Sequence, residues 1–496
     1  MTVTTYPDLG LQTHYEPLIG GTFRSITSET FPAINPSTGD VLAVITRSGK
    51  EEVNAAVAAA KTAFPAWSST TPEARATLLH RLADWVEENT TRLAMIDALD
   101  IGRTIFETPM DHAHGARQYR FFASAIVTHD GWHTSVPGGH AIAKRESLGV
   151  VGQIIPWNVP GIMVGFKLAP ALAAGNTVVL KPDENASLST LELCRAAAEI
   201  FPPGVVNVVP GYGEEAGAAL TAHPDVIKLA FTGSAEVGRI VAHAGAERLI
   251  PVSLELGGKS PNIVFPDIED MDAVVDNAAF AVGICNGQAC LAGTRLFVHD
   301  AIYDEFVGKL ASAFERLTIG DPTDIRSRLG CLVSSTQGER VLRYLDAGKR
   351  EANLITGGAR RQVDGHSNGY FIEPTLFESN NHALIDREEI FGPVASVIRW
   401  SDRDEMIRMA NDTTYGLASG IYTSNLKNAL DTADRLQAGS VWVNQYFNLH
   451  DGSPFGGYKQ SGVGREYSKE TLDMYTQLKT IMVMKDQFPA FFVPQN

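Results

Sequence analysis

The chain has 496 residues and a formal net charge of −16, with 41 Lys and Arg against 57 Asp and Glu. Its length favours about two or three domains, and a hydrophobic content of 44% is typical of a folded rather than a disordered protein. The acidic balance argues against nucleic acid or an anionic membrane as a partner, because both require a basic surface. With no secretory signal and no apolar run long enough to span a membrane, we expect a cytoplasmic protein.

The spacing of cysteine and histidine predicts neither a disulfide framework nor a metal site. There is no CxxC pair and no HExxH motif, and the close pair His112 and His114 is more typical of packing residues than of ligands. The cysteines are Cys194, Cys285, Cys290 and Cys331.

Hydrophobic periodicity divides the chain into successive layers. Apolar residues at spacings of three and four predict helices over 51–130, and a hairpin signal follows over 130–147 that could project toward a partner subunit. Strands and helices alternate over 148–256, which predicts a doubly wound parallel α/β domain. A second alternation over 257–445 predicts another α/β domain. A strand-like run over 479–486 precedes an apolar tail that a monomer would leave uncovered.

Ligands of such sheets bind beyond the carboxyl ends of the strands. Lys181 and Glu184 follow one strand and could bind ribose hydroxyls, although a solvated pair at a sheet edge explains them equally well. The loop 233–238 lies at a strand-to-helix turn, where free N–H groups favour a phosphate. Neither this loop nor 211–217 is a GxGxxG motif, so a structural role remains an alternative for both.

Residue type and position suggest a catalytic role for three further residues. Cys290 lies in a loop, but a single cysteine is more often a small buried hydrophobe than a nucleophile. Glu255 closes an apolar strand, where desolvation would raise its pKa and suit a general base. Asn158 could donate to an oxyanion, with capping of the next helix as the equal alternative.

Seven short segments carry the residues that suggest chemistry. They are Pro-Trp-Asn at 156–158, Lys-Pro-Asp-Glu at 181–184, Phe-Thr-Gly-Ser at 231–234, Glu-Leu-Gly-Gly-Lys at 255–259, Gly-Gln-Ala-Cys at 287–290, Glu-Ile-Phe-Gly-Pro at 389–393 and Pro-Phe-Gly-Gly at 454–457. Together and in this order they resemble the aldehyde dehydrogenase superfamily, over nearly the whole chain. Many members carry another cysteine where Ala289 and Leu291 flank the nucleophile here, and Asp183 replaces a smaller residue, which changes the shape of the pocket but not the chemistry.

The resemblance implies a non-acylating enzyme that oxidises an aldehyde to the carboxylic acid with NAD. Cys290 would form a thiohemiacetal and then a thioester, with the oxyanion held by the Asn158 side chain and the Cys290 N–H. Glu255 would deprotonate the hydrolytic water. Lys167 and Glu466 match a proton-relay pair of relatives.

The resemblance also implies the residues that contact the cofactor. NAD is expected over NADP, because the Glu184 carboxylate accepts hydrogen bonds from a ribose 2′-hydroxyl and repels a 2′-phosphate. The implied contacts are Trp157, Gly233 and Ser234 at the pyrophosphate, Lys181 and Glu184 at the adenosine ribose, Glu389 at the nicotinamide ribose, and Thr232 and Phe391 near the ring.

Seven apolar residues match the family's substrate tunnel, and they predict a medium-to-large hydrophobic aldehyde, aliphatic or aromatic. Packing of the same face on its own domain is the alternative, and nearby His450 and Asp451 leave room for a polar substituent. The residues are Val159, Ile162, Met163, Phe166, Leu291, Leu449 and Phe455.

The family's domain plan implies a homodimer or homotetramer. Its domains would be a cofactor-binding domain over 1–122 and 148–256, a catalytic domain over 257–445, a return segment lining the substrate tunnel over 446–477, and an oligomerisation ribbon over 123–147 and 478–496.

Three other functions compete with this interpretation. A CoA-acylating dehydrogenase typically lacks a carboxylate at position 255, so Glu255 argues against it. A cysteine hydrolase would need a histidine, and none lies in the motifs around Cys290 or Glu255. A binding protein that keeps the fold without turnover is disfavoured because both nucleophile and base are present.

Overall fold

The computed structural model describes residues 3–485 and Phe492. Most of the predicted apolar tail, 488–496, lies outside the described residues, and Phe492 is fully exposed. Within the described part, no helix is long and apolar enough to cross a membrane.

Helices dominate the first third of the chain, as the periodicity predicts. Helix α2 begins where the Thr71 side chain accepts a hydrogen bond from Ala74 N–H, and it ends at Gly102, whose φ of 72° is left-handed. In the described residues the α-helices are Lys50–Ser68 (α1), Pro72–Ile101 (α2), Thr108–Ile126 (α3), Pro160–Ala173 (α4), Leu188–Ile200 (α5), Ala218–Ala222 (α6), Ala235–Arg248 (α7), Met271–Gly283 (α8), Tyr303–Arg316 (α9), Ser335–Glu351 (α10), Leu384–Arg387 (α11), Arg403–Asn411 (α12), Leu426–Ala433 (α13) and Lys469–Met474 (α14).

The strands form two large sheets and several small ones. Short strands before α1 were not anticipated from the sequence. In the described residues the strands are His14–Tyr15 (β1), Leu18–Ile19 (β2), Thr22–Phe23 (β3), Thr30–Ile34 (β4), Val41–Thr46 (β5), Trp132–Val136 (β6), Gly139–Ser147 (β7), Val150–Ile154 (β8), Thr177–Lys181 (β9), Val206–Val208 (β10), Val226–Thr232 (β11), Val252–Glu255 (β12), Pro261–Val264 (β13), Arg295–His299 (β14), Asn353–Thr356 (β15), Arg360–Arg361 (β16), Phe371–Ile372 (β17), Thr375–Glu378 (β18), Val394–Trp400 (β19), Ala418–Tyr422 (β20), Ser440–Val443 (β21), Gly462–Val463 (β22) and Thr476–Met484 (β23).

The first large sheet has the strand order β22-β12-β11-β8-β9-β10-β2-β3 in the described chain. Its central strands, from β12 to β10, pair in parallel. Because the chain runs from β8 outward through β9 and then returns to the other side of β8 at β11, the order reverses beside β8. A crevice opens at such a switch point, beyond the carboxyl ends of the strands. The doubly wound prediction for 148–256 is confirmed.

Two parts of this sheet come from segments outside the predicted alternation. Strand β22 pairs antiparallel with β12, and β2 pairs antiparallel with β10. The predicted return segment 446–477 therefore contributes an edge strand to the first sheet. Helix α3 extends to Ile126 and crosses the predicted boundary at 123.

The second large sheet has the order β15-β18-β19-β14-β13-β20-β21 within the described residues. Its strands pair in parallel except β15, which is antiparallel to β18. Buried apolar clusters cover both faces of this sheet, as expected for a sheet between helix layers.

The predicted hairpin forms a three-stranded ribbon of β6, β7 and β23. Strand β23 pairs with β7 along its full nine residues, from Thr476 to Met484. Its apolar side chains stay exposed in the chain, and Met482 is 55% exposed.

Candidate active site

Two adjoining cavities open at the switch point. One has a volume of about 650 Å³ and the other about 190 Å³. They share the wall formed by Pro156, Trp157, Thr232, Gly233 and Ser234, so they form one continuous crevice. Every one of these residues follows β8 or lies at the end of β11.

Helix α7 points its amino-terminal end into this crevice. The Ser234 side chain caps the helix by accepting a hydrogen bond from Val237 N–H at 3.2 Å. A Cβ at Gly233 would lie 2.5 Å from Cζ of Phe231, so a larger residue there would require the Phe231 ring to move. Free N–H groups at a helix start attract anions, which suits a pyrophosphate.

The larger cavity also contains Lys181 and Glu184. Lys181 Nζ donates to Pro182 O at 2.7 Å and lies 3.4 Å from Glu184 Oε2. The alternative of a solvated pair is wrong for Lys181, whose side chain is only 3% exposed. Burial raises the pKa of the Glu184 carboxyl, Asp183 adds to that shift, and Lys181 opposes it.

The smaller cavity brings Asn158 and Cys290 together. Asn158 Nδ2 donates to Gln288 O at 2.9 Å, two residues before the cysteine. Helix α4 takes Val159 as its N-cap, so the alternative that Asn158 caps this helix is wrong. Burial, together with the charges of Glu389 and Glu255, raises the pKa of the Cys290 thiol to about 12.

Glu255 faces the same cavity from the end of β12. It is 5% exposed, and neither carboxylate oxygen has a hydrogen-bond partner among residues 3–485. Burial raises its pKa well above the ordinary value, and Glu466 adds to the shift while Lys167 opposes it. A desolvated carboxyl with free oxygens is the arrangement that a general base needs. Lys167 and Glu466 form a fully buried ion pair.

Glu389 and Phe391 also line the smaller cavity. Glu389 Oε1 accepts a hydrogen bond from Gly258 N–H at 3.1 Å, and burial raises its pKa to about 7. The Trp157 and Phe391 rings meet edge to face at 5.2 Å. A Cβ at Gly257 would lie 2.2 Å from Glu389 Oε2, so a larger residue there would displace the Glu389 carboxylate.

The sequence motifs missed two residues of this cavity, Gln337 and Arg340 on α10. Gln337 Nε2 donates to Phe391 O at 2.8 Å, and Arg340 donates to Glu389 O at the same distance. No motif marks them, because α10 is an amphipathic helix that reaches the crevice only through the tertiary fold.

Six of the seven predicted substrate residues are buried members of one extensive hydrophobic core cluster, and Leu449 packs against it. Met163 lines the smaller cavity, whereas Leu449 is only partly buried against the cluster. His450 is exposed, and the Asp451 carboxylate accepts from Gln118 Nε2 at 2.7 Å. The assignment of these residues to a substrate tunnel stays a prediction.

Of the close pair His112 and His114, the first has a hydrogen-bond partner and the second packs edge to face on the Tyr467 ring, with the centroids 5.1 Å apart. His112 is buried and bonds to Asp97 at 2.7 Å, in keeping with the packing interpretation. Across residues 3–485, no group of three or more His, Cys, Asp or Glu side chains is placed to hold a metal ion.

Comparison with known proteins identifies the family. A model described as the aldehyde dehydrogenase family matches residues 23–481. A γ-glutamyl-γ-aminobutyraldehyde dehydrogenase from Burkholderia cenocepacia is 43% identical with a TM-score of 0.93, covering 96% of this chain and 98% of the other. An aldehyde dehydrogenase from Bacillus cereus in complex with NAD+ is 40% identical with a TM-score of 0.94, covering 98% and 100%. An indole-3-acetaldehyde dehydrogenase from P. syringae, in complex with NAD+ and IAA, is 39% identical with a TM-score of 0.94, covering 96% and 98%.

Proposed function

Because this chain belongs to the aldehyde dehydrogenase family, we propose that it oxidises a hydrophobic aldehyde to the carboxylic acid with NAD, through a thioester on Cys290. The observation that carries the proposal is the position of Cys290 and Glu255 in one small cavity, continuous with a larger crevice. The NAD+ complexes of similar enzymes support the choice of cofactor.

The larger cavity suits a dinucleotide by its size and by its donors. The start of α7 at Ser234 would hold the pyrophosphate, and Lys181 with Glu184 would hold a ribose. Glu389 would bind the second ribose beside Cys290. NAD, when bound, supplies the hydride acceptor.

Different residues of the smaller cavity act in the acylation of Cys290 and in the hydrolysis of the resulting thioester. Cys290 Sγ, as the thiolate, attacks the aldehyde carbon, and the Asn158 amide donates to the oxygen that gains charge. After oxidation the carbonyl carbon is held as a thioester on Cys290. Glu255 removes a proton from water, the resulting hydroxide adds to the thioester, and the thiolate leaves as the acid forms. The buried pair of Lys167 and Glu466 can take up the proton from Glu255.

The test is an assay of NADH formation across a panel of aldehydes, with and without CoA. We expect octanal, hexanal and benzaldehyde to exceed acetaldehyde and betaine aldehyde in kcat/KM. Each buried methylene contributes about 0.8 kcal/mol, or roughly fourfold in kcat/KM. The seven predicted tunnel residues carry no charged side chain, and Val159 and Ile162 do not supply the aromatic box that a trimethylammonium group requires.

Two outcomes of this panel would contradict the proposal. Acetaldehyde or betaine aldehyde in first place would contradict the hydrophobic substrate class. Strict dependence of turnover on CoA would contradict hydrolysis by water and with it the role of Glu255.

The choice between NAD and NADP should depend on Glu184. Its carboxylate lies in the larger cavity beside Lys181 and would repel a 2′-phosphate. We expect kcat/KM to favour NAD, and Glu184→Ser to shift the ratio toward NADP by roughly tenfold, or about 1.4 kcal/mol. Glu214→Ser, which removes a carboxylate elsewhere on the same cavity wall, is the matched control. A wild type that prefers NADP would refute this role.

We also propose that the ribbon pairs with a second copy of this chain. Strand β23 is nine residues long, lies at the edge of its sheet and exposes apolar side chains such as Ile481 and Val483. An open apolar edge of this length invites pairing unless it is covered. Light scattering should give the mass of a dimer or tetramer, and Ile481→Lys with Val483→Lys should lower it. A wild-type monomer at micromolar concentration would contradict the proposal.

A further inference from the structure

A buried network of charged side chains occupies the connection between α2 and α3. Arg103 is 1% exposed, and its Nη2 donates to Glu107 Oε2 at 3.1 Å. Its Nη1 bonds to Asp111, which is also buried. Charges removed from water are costly for folding unless their partners compensate them. The hydrogen bonds of this network reach two segments of the crevice, at Asn158 and at Cys285.

The first connection from Arg103 is a hydrogen bond to Asn158, the residue whose side-chain amide we propose to contact the oxyanion. Arg103 Nη1 donates to the backbone carbonyl of Asn158 at 3.2 Å. On its other side, the Asn158 side chain donates to Gln288 O. Asn158 is therefore fixed between Arg103 and the segment that carries the nucleophile.

The second connection runs from Arg103 through Glu107 to Cys285, near the start of the segment that carries Cys290. Glu107 Oε2, the atom that accepts from Arg103, also accepts from Cys285 N–H at 2.9 Å. Cys285 and Asn286 have left-handed φ angles of 57° and 56°. Asparagine tolerates this region, but cysteine adopts it only when its surroundings impose it. Asn286 Nδ2 donates a hydrogen bond to Gly102 O at 3.1 Å. The α2–α3 connection thus holds a strained turn five residues before Cys290.

We propose that Arg103 is a positioning residue, which sets the separation of the Asn158 amide and Cys290 by bonding to Asn158 directly and to the Cys285 turn through Glu107. The inference rests on the proposed function of Asn158 and Cys290. Groups that stabilise a transition state must lie within about 0.5 Å of their productive position. A displacement of about 1 Å can cost roughly a hundredfold in rate. The two connections start from one planar guanidinium, so a single side chain keeps both segments in register.

The test is Arg103→Lys, which keeps the charge but replaces the planar fork with one ammonium that cannot maintain all of these bonds. We expect the rate of the first NADH burst to fall roughly 10- to 100-fold. The Kd for NAD and the rate of Cys290 alkylation by iodoacetamide should stay within about threefold of the wild type, because neither depends on the oxyanion contact. Glu107→Gln can keep both of its bonds in one orientation, so its burst rate should stay within about threefold.

Arg92→Lys is the matched control. Arg92 lies on α2 and, like Arg103, bonds to a backbone carbonyl, Leu9 O, and to a carboxylate, Glu192, but it lies away from the crevice. It should lose stability and keep its burst rate. If Arg103→Lys does not fold, Glu107→Ala tests the second connection, and its burst rate should fall about tenfold at an unchanged Kd for NAD.

Two results would overturn the positioning role. One is an unchanged burst rate in Arg103→Lys. The other is a parallel loss of burst rate, alkylation rate, NAD binding and Tm, which would indicate a structural role only. A wild type that forms no NADH with any aldehyde would instead contradict the proposed function, so the two failures are distinguishable.

Discussion

Replacing Cys290 with Ala should abolish aldehyde oxidation while leaving NAD binding intact. In the proposed mechanism the thiol sulfur bonds to the aldehyde carbon, and removal of a nucleophile typically costs roughly 10⁴-fold or more in kcat. The proposed contacts to the pyrophosphate and the adenosine ribose lie in the larger cavity, which does not include Cys290, so the Kd for NAD should change by less than about twofold. Steady-state NADH formation and calorimetric NAD titration measure the two effects.

Cys194→Ala is the matched control for this variant. Cys194 is fully buried in α5, within the hydrophobic cluster, and lies outside both cavities. Its loss should lower stability by about 1 kcal/mol and leave turnover near that of the wild type. Substantial residual turnover in Cys290→Ala would remove this residue from its assigned role.

Replacing Glu255 with Gln should arrest the reaction at a later point. Acylation of Cys290 does not need the carboxylate as a base for water, so we expect a burst of about one NADH per active site. Steady turnover should then fall roughly 10²- to 10⁴-fold, because an amide cannot deprotonate the hydrolytic water. Stopped-flow absorbance resolves the two phases, and the burst of the wild type must be measured alongside.

The pH profile provides an independent control for Glu255. Burial raises its pKa, so the carboxylate is ionised only at higher pH and wild-type deacylation should accelerate as the pH rises through that value. Glu255→Gln should lose this limb of the profile. Sustained turnover at the wild-type rate, or an unchanged limb, would reject Glu255 as the base.

Much of the architecture was predictable because burial leaves a clear mark on local sequence. Strands β8 and β9 lie inside a sheet covered on both faces, and their continuous apolar runs identify them. Lys181, Thr232 and Glu255 end three parallel strands, so their clustering follows once the strands are recognised.

The rest depends on contacts between residues far apart in sequence. Nothing in the local pattern around Arg103 indicates that its guanidinium reaches the Asn158 carbonyl. Gln337 likewise enters the crevice wall only through the packing of α10 on the Phe391 loop. Asn286-Gly287 is a turn signal in the sequence, but the left-handed φ of Cys285 just before it follows from surrounding hydrogen bonds and not from residue type.

The antiparallel strand β22 has a consequence for how the protein is made. Leu256 N–H donates to Ser461 O at 2.9 Å, and Ser461 Oγ donates to Gly257 O, a residue 204 positions earlier in the chain. During synthesis, β12, the strand that carries Glu255, therefore keeps an open edge until β22 has been made. Open edges are templates for wrong pairing, and early segments fold before late ones emerge. A translation product that stops before residue 462 lacks the strand that pairs with β12, so the edge of β12 beside Glu255 stays unprotected.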